Sequence, residues 1–259
     1  MIITKENENI FRITTPYKDI FTSIYLIKTE KGAMLFDVGS YPSDVDDYIV
    51  PFLNEIGLVS KEVKYVCISH NHADHSGGLS AFCEMFPNVT VISRNNGLVD
   101  KYKTSVLPSD NDVFLDVLKV VTIPGHTSDA IGIIDLRTNT LICGDCLQMY
   151  GLYGSGEWGS NITLIKQHYD ALDKLENMPI ENILTAHDYH PHGYKYIGND
   201  EVMLAIKYSR ESLNSIESII KNSSEYSNAG ITAKCNERGL PRVSERVVAA
   251  LRSYLEENQ

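Results

Sequence analysis

Four side chains that can bind a metal ion lie within one short stretch, which reads Ser-His-Asn-His-Ala-Asp-His-Ser-Gly-Gly over residues 69–78. His70 and His72 are two residues apart in a segment predicted to be extended, so their side chains point the same way and can share one metal. Asp74 and His75 follow where the chain turns into a predicted helix, and they can face a second metal. The spacing therefore indicates a site for two metal ions.

Three further candidate ligands come later in the sequence, each where a predicted strand gives way to a loop. They are His126, Asp145 and His187. Loops that leave the strands of a packed β core can converge at one edge, which could bring these side chains to the first four. Imidazole nitrogens and carboxylate oxygens are the ligands expected for zinc and similar divalent ions. Gly77 and Gly78 remove side-chain bulk where the first helical turn approaches the site.

The apolar pattern predicts the elements that would position these residues. The first part of the chain is β-rich, and a buried strand is predicted over 63–69, directly before the histidines. An i, i+3, i+4, i+7 pattern of apolar residues predicts a helix from Leu79 to Phe86, directly after them. The further predicted elements are a strand over 113–123, a helix over 162–175 and a short strand over 182–185.

The end of the chain has a different pattern. Apolar residues recur at helical spacing from Val202 to Ile220 and again from Val247 to Leu255, whereas residues 222–242 between them are polar. We therefore predict a main domain over residues 1–198 and a helical segment over 199–259 packed on it.

Composition excludes some partners and favours others. The formal net charge of −11 is a poor match for a polyphosphate backbone, so no nucleic acid is expected as a partner. No run of about 18 apolar residues occurs, so no membrane span is expected. The odd count of 5 cysteines favours reduced thiols and a cytoplasmic location over a disulfide framework. The expected partner is a small-molecule substrate; the oligomeric state stays open, a homodimer included.

The motif His-x-His-x-Asp-His, followed by an isolated His, Asp and His after successive predicted strands, resembles the metallo-β-lactamase superfamily. The resemblance covers roughly residues 20–195. It implies an α/β (α+β) fold, a four-layer αββα sandwich with β-sheets inside and helices on both outer faces. The helical C-terminal extension would be an addition to that sandwich.

The resemblance also implies how the ligands divide between two metals. One triad is His70, His72 and His126, the other is Asp74, His75 and His187, and Asp145 bridges the two metals. Asp37 matches an early aspartate of the family that supports the ligands from behind. A bridging Asp145 is similar to glyoxalase II–like thioesterases and lactonases, since the metallo-β-lactamases proper usually lack that carboxylate.

These residues predict a metal-dependent hydrolase that acts on an ester, thioester, lactone or related bond of a small molecule. Metal-held water ionises near neutral pH, and the resulting metal-bound hydroxide would be the nucleophile. Asp74 would orient it or pass a proton to the leaving group. Two divalent metal ions are expected as cofactors; zinc is favoured, and iron and manganese are the alternatives because His/Asp sites accept all three.

Two alternative functions stay open at this point. One is a mononuclear iron enzyme similar to sulfur dioxygenases, which would use His70, His72, His126 and Asp145 and leave the second metal position empty. The other is a non-catalytic protein that uses the metal site for sensing. The number and identity of the bound metals would separate the first alternative from a dinuclear hydrolase.

Several aromatic and thiol residues near the predicted ligands invite a role in substrate binding or redox chemistry. Tyr150, Tyr153 and Trp158 lie in a glycine-rich loop after Asp145 and are candidates for a substrate wall, as is His190 after the last ligand. An ordinary loop that packs its own aromatic residues is the alternative. Cys143 and Cys146 form a Cys-x-x-Cys pair around Asp145, for which buried, inert thiols are favoured over a redox pair.

Overall fold

The fold of this protein is mixed α/β, with two β-sheets and several helices. The computed structural model describes residues 2–18, 20–58, 60–149, 152–153, 160–190, 193–223, 226–237 and 242–258. The chain divides into two compact units. The first unit consists of residues 1–122 and 131–137, and the second unit consists of residues 123–130 and 138–259. The domain boundary between residues 198 and 199 stays a prediction.

The first unit contains a seven-stranded sheet whose strands follow one another in chain order. Its strands are β1 (Thr4–Lys5), β2 (Ile10–Tyr17), β3 (Ile20–Thr29), β4 (Gly32–Phe36), β5 (Val63–Cys67), β6 (Thr90–Ile92) and β7 (Ser105–Val106). Strands β1 to β4 pair antiparallel, and β4 to β7 pair parallel. The carboxyl ends of the parallel strands β4 and β5 therefore lie side by side, which positions the loops that follow both strands.

Helices of the first unit follow the strands and contribute to its apolar core. After a π-helical turn over Val45–Ile49, the helices are α1 (Val50–Glu55), α2 (Ala73–Ser76), α3 (Leu79–Met85) and α4 (Asn96–Val99). Phe52, Leu79 and Phe82 are fully buried in one cluster with the inward residues of the sheet. The predicted helix from Leu79 is confirmed, since its apolar stripe is the face that packs on this core.

Three more strands of the first unit form an antiparallel group of β8 (Val113–Phe114), β9 (Leu118–Thr122) and β10 (Ile131–Asp135). The single strand predicted over 113–123 is wrong, because the chain reverses between β8 and β9. Leu115 and Asp116 make this turn with φ angles of 48° and 65°. The turn was not predicted because Leu115 occupies a position of positive φ for which glycine, asparagine or aspartate is the usual signal, and Asp116 is a single polar residue between apolar ones.

The second unit has strand β13 (Asn182–His190) at the centre of its described strands. Strand β11 (Thr140–Ile142) pairs parallel to it, and β12 (Leu152–Tyr153) and β14 (Gly193–Ile197) pair antiparallel. The strand predicted over 182–185 is therefore present but continues to His190. Its register with β14 shifts between Leu184 and Tyr189, so the strand is irregular where the predicted ligand His187 lies.

Helix α5 (Ile165–Glu176) and four C-terminal helices complete the second unit. The latter are α6 (Asn199–Glu211), α7 (Asn214–Lys221), α8 (Asn228–Glu237) and α9 (Glu245–Glu257). Helices α7, α8 and α9 bury apolar residues in one cluster with Ile162 and Ile165, and α6 contacts α5, so the helical character predicted for this segment is confirmed. Helix α8 was missed within the polar stretch 222–242, because only Ile231 and Cys235 of it are buried. Among the described residues, no helix is long and apolar enough to span a membrane.

Candidate metal centre

The first unit presents four of the predicted ligands on the loop after β5 and on helix α2. His70, Asp74 and His75 are buried, and His72 is partly exposed. His72 has extended backbone angles (φ −83°, ψ 153°) and is the residue before α2. The Nε2 atom of His70 and the Nδ1 atom of His72 are 2.9 Å apart. The two rings therefore converge, as the extended two-residue spacing predicts.

Asp37 anchors this group from the end of the neighbouring strand β4. Its carboxylate accepts hydrogen bonds from the backbone N–H of Ser69 (2.7 Å), the hydroxyl of Ser69 (2.9 Å) and Nδ1 of His75 (2.8 Å). Burial raises the pKa of Asp37, although His75 and Ser69 oppose that shift. Asp37 also has a φ angle of 64°, in the left-handed region. Such a conformation costs about 1 kcal/mol or more, so the surrounding contacts must hold it.

These hydrogen bonds decide which ring nitrogens can bind a metal. Because His75 donates from Nδ1 to Asp37, its Nε2 atom retains a lone pair. The hydroxyl of Ser69 donates to Asp37 and lies 3.0 Å from Nδ1 of His70, from which it can accept. His70 therefore also retains a lone pair on Nε2. The sequence pattern assigns no role to Ser69. Its contacts with Asp37 and His70 show that it orients the ligand group together with Asp37.

Asp74 has a buried neighbour that the sequence did not reveal. The hydroxyl of Thr22, on strand β3, donates to Oδ2 of Asp74 over 3.2 Å, and Nε2 of His75 lies 3.3 Å from the same oxygen. Thr22 is fully buried. A threonine within an apolar strand reads as an ordinary β-branched residue, so only the fold reveals that it orients Asp74.

The glycines after the motif are required by close packing against the loop that follows Asp37. A Cβ atom on Gly77 would lie 1.9 Å from the carbonyl oxygen of Ser40, and one on Gly78 would lie 2.3 Å from that of Val38. The backbone N–H of Val38 also bonds to the carbonyl of His75 at 2.9 Å. The glycines therefore allow the ligand loop and the Asp37 loop to approach each other closely.

The second unit presents the other three predicted ligands, all buried. His126 lies in the segment 123–130, Asp145 follows β11, and His187 lies within β13 rather than after it. His126 donates from Nδ1 to the carbonyl oxygen of Asn161 over 2.6 Å, which leaves its Nε2 atom with a lone pair. Its ring is thus held in the tautomer that a metal ligand needs.

Asp145 lies between the two predicted histidine ligands of its unit, His126 and His187. Its Oδ2 atom is 3.5 Å from Nε2 of His126, and its Oδ1 atom is 3.1 Å from Nε2 of His187. Each carboxylate oxygen thus faces a different imidazole. A carboxylate that presents one oxygen to each of two ligand groups suits a bridging position between two metal ions.

The donor set of each unit fits a divalent metal. Both sets consist of imidazole nitrogens and carboxylate oxygens, and His70, His75 and His126 have their second nitrogen occupied by a protein acceptor. Such outer contacts are typical of metal-binding histidines. The residues present could therefore hold zinc, iron or manganese. The imidazoles disfavour hard metal ions, which prefer sites made of oxygen ligands alone.

Most of the predicted substrate wall lies outside the described residues. This applies to Tyr150 and Trp158, and to the side chains of Tyr153 and His190, whose backbones lie in β12 and β13. Their role stays a prediction.

Two other groups near the ligands have reactivities that burial decides. Cys143 and Cys146 are buried, and burial raises the pKa of Cys143 to about 12 and that of Cys146 well above its usual value. Both thiols are thus kept protonated, which favours inert thiols over a redox pair.

His168, on α5, is buried, and desolvation lowers its pKa to about 4. It packs against Gly125, where any Cβ atom would lie 2.8 Å from that of His168.

Comparison with known sequences finds one family over most of the chain. Residues 17–187 match the model of the metallo-β-lactamase superfamily. The hydroxyacylglutathione hydrolase 1 of Vibrio vulnificus (strain YJ016) is 28% identical over 172 residues, which cover 64% of this chain and 62% of that protein. The chain thus aligns with less than two thirds of that relative's length.

Comparison with solved structures finds the same fold. A metallo-β-lactamase family protein from Thermus thermophilus superposes with a TM-score of 0.72 at 16% identity, covering 97% of this chain and 94% of that one. Rubredoxin oxygen:oxidoreductase from Desulfovibrio gigas superposes with a TM-score of 0.62 at 17% identity, covering 82% and 61%. Since these identities are low, the two structures establish the fold alone.

Proposed function

Because this chain belongs to the metallo-β-lactamase superfamily, we propose that it is a hydrolase that holds two divalent metal ions. One metal would be held by His70, His72 and His126, the other would be held by Asp74, His75 and His187, and Asp145 would contribute a ligand to both. The placement of Asp145 carries this proposal. Its two oxygens face the Nε2 atoms of His126 and His187 separately, at 3.5 Å and 3.1 Å.

Two metal ions, when bound, would acidify a water molecule and polarise the oxygen of the bond to be cleaved. Asp145 and Asp74 would offset part of the four positive charges, so the centre would attract carbonyl or anionic substrates. Asp74 is the proposed catalytic residue. Its carboxylate, oriented by Thr22, would accept a proton from the attacking water and return it to the leaving group.

We propose a small-molecule ester, thioester or lactone as the substrate, with the thioester as the first bond to test. The relative from Vibrio vulnificus is named for hydrolysis of a hydroxyacylglutathione, which is a thioester. Zinc is the proposed metal, since nitrogen and oxygen ligands of this kind suit it, and iron or manganese would fit the same donors. The proposed location is the cytoplasm, where its 5 cysteines would stay reduced.

The test is elemental analysis of protein purified without added metal, combined with a hydrolysis screen of esters, thioesters and lactones. We expect two metal ions per chain and turnover of at least one substrate class. His70→Ala and Asp145→Ala, which remove one ligand from each unit, should lose metal and activity. Asp46→Ala, at an exposed helical position in the first unit, is the control and should retain both.

Two results would overturn the proposal. Full activity in both ligand variants would show that these residues do not form the centre. A single iron per chain, with oxygen consumption on a sulfur substrate and no hydrolysis, would identify an oxygenase instead. In that case His75→Ala and His187→Ala, which remove proposed ligands of the second metal alone, would retain the oxygenase activity.

A further inference from the structure

Gln148 is a fully buried polar residue close to the ligands of the second unit, and no sequence pattern singles it out. It lies three residues after Asp145, between Leu147 and Met149, which are both buried. A buried side-chain amide is costly unless its donor and acceptor are both satisfied. The hydrogen-bond partners of the Gln148 amide therefore indicate its role.

Both ends of the Gln148 amide bond to backbone groups beside predicted ligands. Its Nε2 atom donates to the carbonyl oxygen of Asp145 over 3.2 Å, and its Oε1 atom accepts from the N–H of Asn161 over 2.9 Å. The carbonyl oxygen of Asn161 in turn accepts from Nδ1 of His126 over 2.6 Å. A single amide thus links the backbone of one predicted ligand to the residue that orients another.

The backbone of Gln148 is also contacted. The hydroxyls of Ser160 and Ser209 lie 3.5 Å and 3.4 Å from its carbonyl oxygen. Ser209 belongs to α6, and its hydroxyl also lies 3.4 Å from Nε2 of His168 on α5. Helix α6 therefore contacts the segment that carries Gln148, within the second unit.

We propose that Gln148 is a positioning residue that fixes the orientation of His126 and Asp145 for metal binding. The amide donates to one backbone carbonyl and accepts from another backbone N–H at the same time, which neither a carboxylate nor an apolar side chain of this length can do. This inference rests on the proposed function in one respect, because it takes both residues as metal ligands. It adds a residue that acts through them and touches neither metal nor substrate.

Two variants of Gln148 test the inference. Gln148→Met keeps the length but removes both hydrogen bonds, whereas Gln148→Glu keeps the acceptor and replaces the donor with a carboxylate oxygen. The matched controls are Gln167→Met and Gln167→Glu, at an exposed position of α5. The readouts are zinc affinity by chelator competition, the visible spectrum of the cobalt-substituted protein, kcat and KM, and the unfolding of metal-free protein.

We expect Gln148→Met to lower zinc affinity by about 10- to 100-fold, as substitutions of outer contacts typically do. The cobalt spectrum should change, and kcat should fall more than KM changes. Gln148→Glu should approach the wild-type zinc affinity as the pH is lowered, because a protonated carboxyl offers one donor and one acceptor, as the amide does. The Gln167 variants should match the wild type in every readout.

The inference fails if Gln148→Met lowers only the stability of the metal-free protein and retains the zinc affinity and cobalt spectrum. If Gln148→Met does not fold, Gln148→Glu decides. A zinc affinity that is lower than that of the wild type by the same factor at every pH would overturn the inference, whereas recovery of the wild-type affinity is the result expected of a protonated carboxyl. Failure of the proposed hydrolysis is separate. It would appear as wild-type protein that binds zinc through His126 and Asp145 but turns over no substrate.

Discussion

The two units bring their predicted ligands together in contrasting ways. The first unit takes four from one stretch of six residues after β5, whereas the second takes three from segments 19 and 42 residues apart: His126, Asp145 and His187. The anchors differ as well. A distant carboxylate, that of Asp37, orients the first group, whereas a backbone carbonyl, that of Asn161, orients His126. The contiguous group thus depends on a particular side chain, and the dispersed group depends more on the path of the backbone.

This comparison predicts that the first unit is the more sensitive to a single added methyl group. Gly77→Ala would place a Cβ atom 1.9 Å from the backbone oxygen of Ser40, and no side-chain rotation can relieve that contact. We expect a loss of at least about 3 kcal/mol in the free energy of unfolding, together with loss of bound metal. Denaturant unfolding and elemental analysis would measure both.

The control for that variant lies in the second unit. Gly230→Ala, in α8, meets only the side chain of Tyr226, at 3.2 Å, and the more distant hydroxyl of Ser227. Because alanine is the better helix former, we expect a change within about 1 kcal/mol. Equal destabilisation by the two variants would contradict the inference that the backbone is packed more closely at Gly77 than at Gly230.

Substitutions of the two anchors test whether side chain or backbone orients the ligands. Asp37→Asn tolerates the left-handed backbone angle but cannot accept from the hydroxyl of Ser69 and Nδ1 of His75 as a carboxylate does. We expect a loss of about 2 kcal/mol in stability and a lower metal content. Asn161→Ala leaves the carbonyl that orients His126 in place and should bind zinc as the wild type does. Zinc affinity would be measured by chelator competition on both variants. A lower affinity in Asn161→Ala than in Asp37→Asn would contradict the contrast between the two anchors.

The same contrast explains how much the sequence could predict. The first ligand group, its strand and its helix were predicted because all lie within one contiguous pattern, and the family was identified from that motif. The isolated residues His126, Asp145 and His187 were candidates only from their positions at strand ends, and their division between two metals came from the resemblance alone. Thr22, Gln148 and the role of Ser69 were missed because their roles depend on partners far along the chain or on backbone atoms, which leave no periodic signal. The reversal at Leu115 and Asp116 was missed because leucine is not a turn residue and Asp116 is a single polar residue between apolar ones.

The next prediction concerns how stability depends on pH through His168, which packs against Gly125, the residue before His126. Because burial lowers the pKa of His168 to about 4, the folded protein favours the neutral ring. The unfolded chain, with an ordinary histidine pKa of 6.5, takes up a proton first as the pH falls. The stability from this group is therefore fully present above about pH 6.5 and is lost as the pH falls toward 4. Between pH 7 and pH 5 the loss should be roughly 2 kcal/mol.

His168→Leu tests this, because leucine has no proton to gain. The variant should lose less stability between pH 7 and pH 5 than the wild type, whatever its stability at pH 7 is. Urea unfolding of metal-free protein at both pH values measures the difference, since metal release would otherwise add its own pH dependence. Identical losses in the two proteins would contradict the prediction, because they would show that His168 takes up a proton as readily in the folded state as in the unfolded chain.

The smallest expected effect is chemical rather than energetic and compares the thiols of the two units. In the first unit Cys83 is partly exposed, with its pKa raised to about 11 by partial burial, and Cys67 is buried. Cys143, Cys146 and Cys235 of the second unit are all buried. A thiol reagent near neutral pH should therefore modify native protein slowly and at Cys83 alone, because burial leaves the other thiols neither ionised nor accessible. Cys83→Ser should abolish the native reaction, and denaturation should expose the remaining thiols. Labelling of Cys143 or Cys146 in the folded, metal-bound protein would instead mean that the segment around Asp145 opens, and that the dispersed ligand group is held less firmly than its hydrogen bonds indicate.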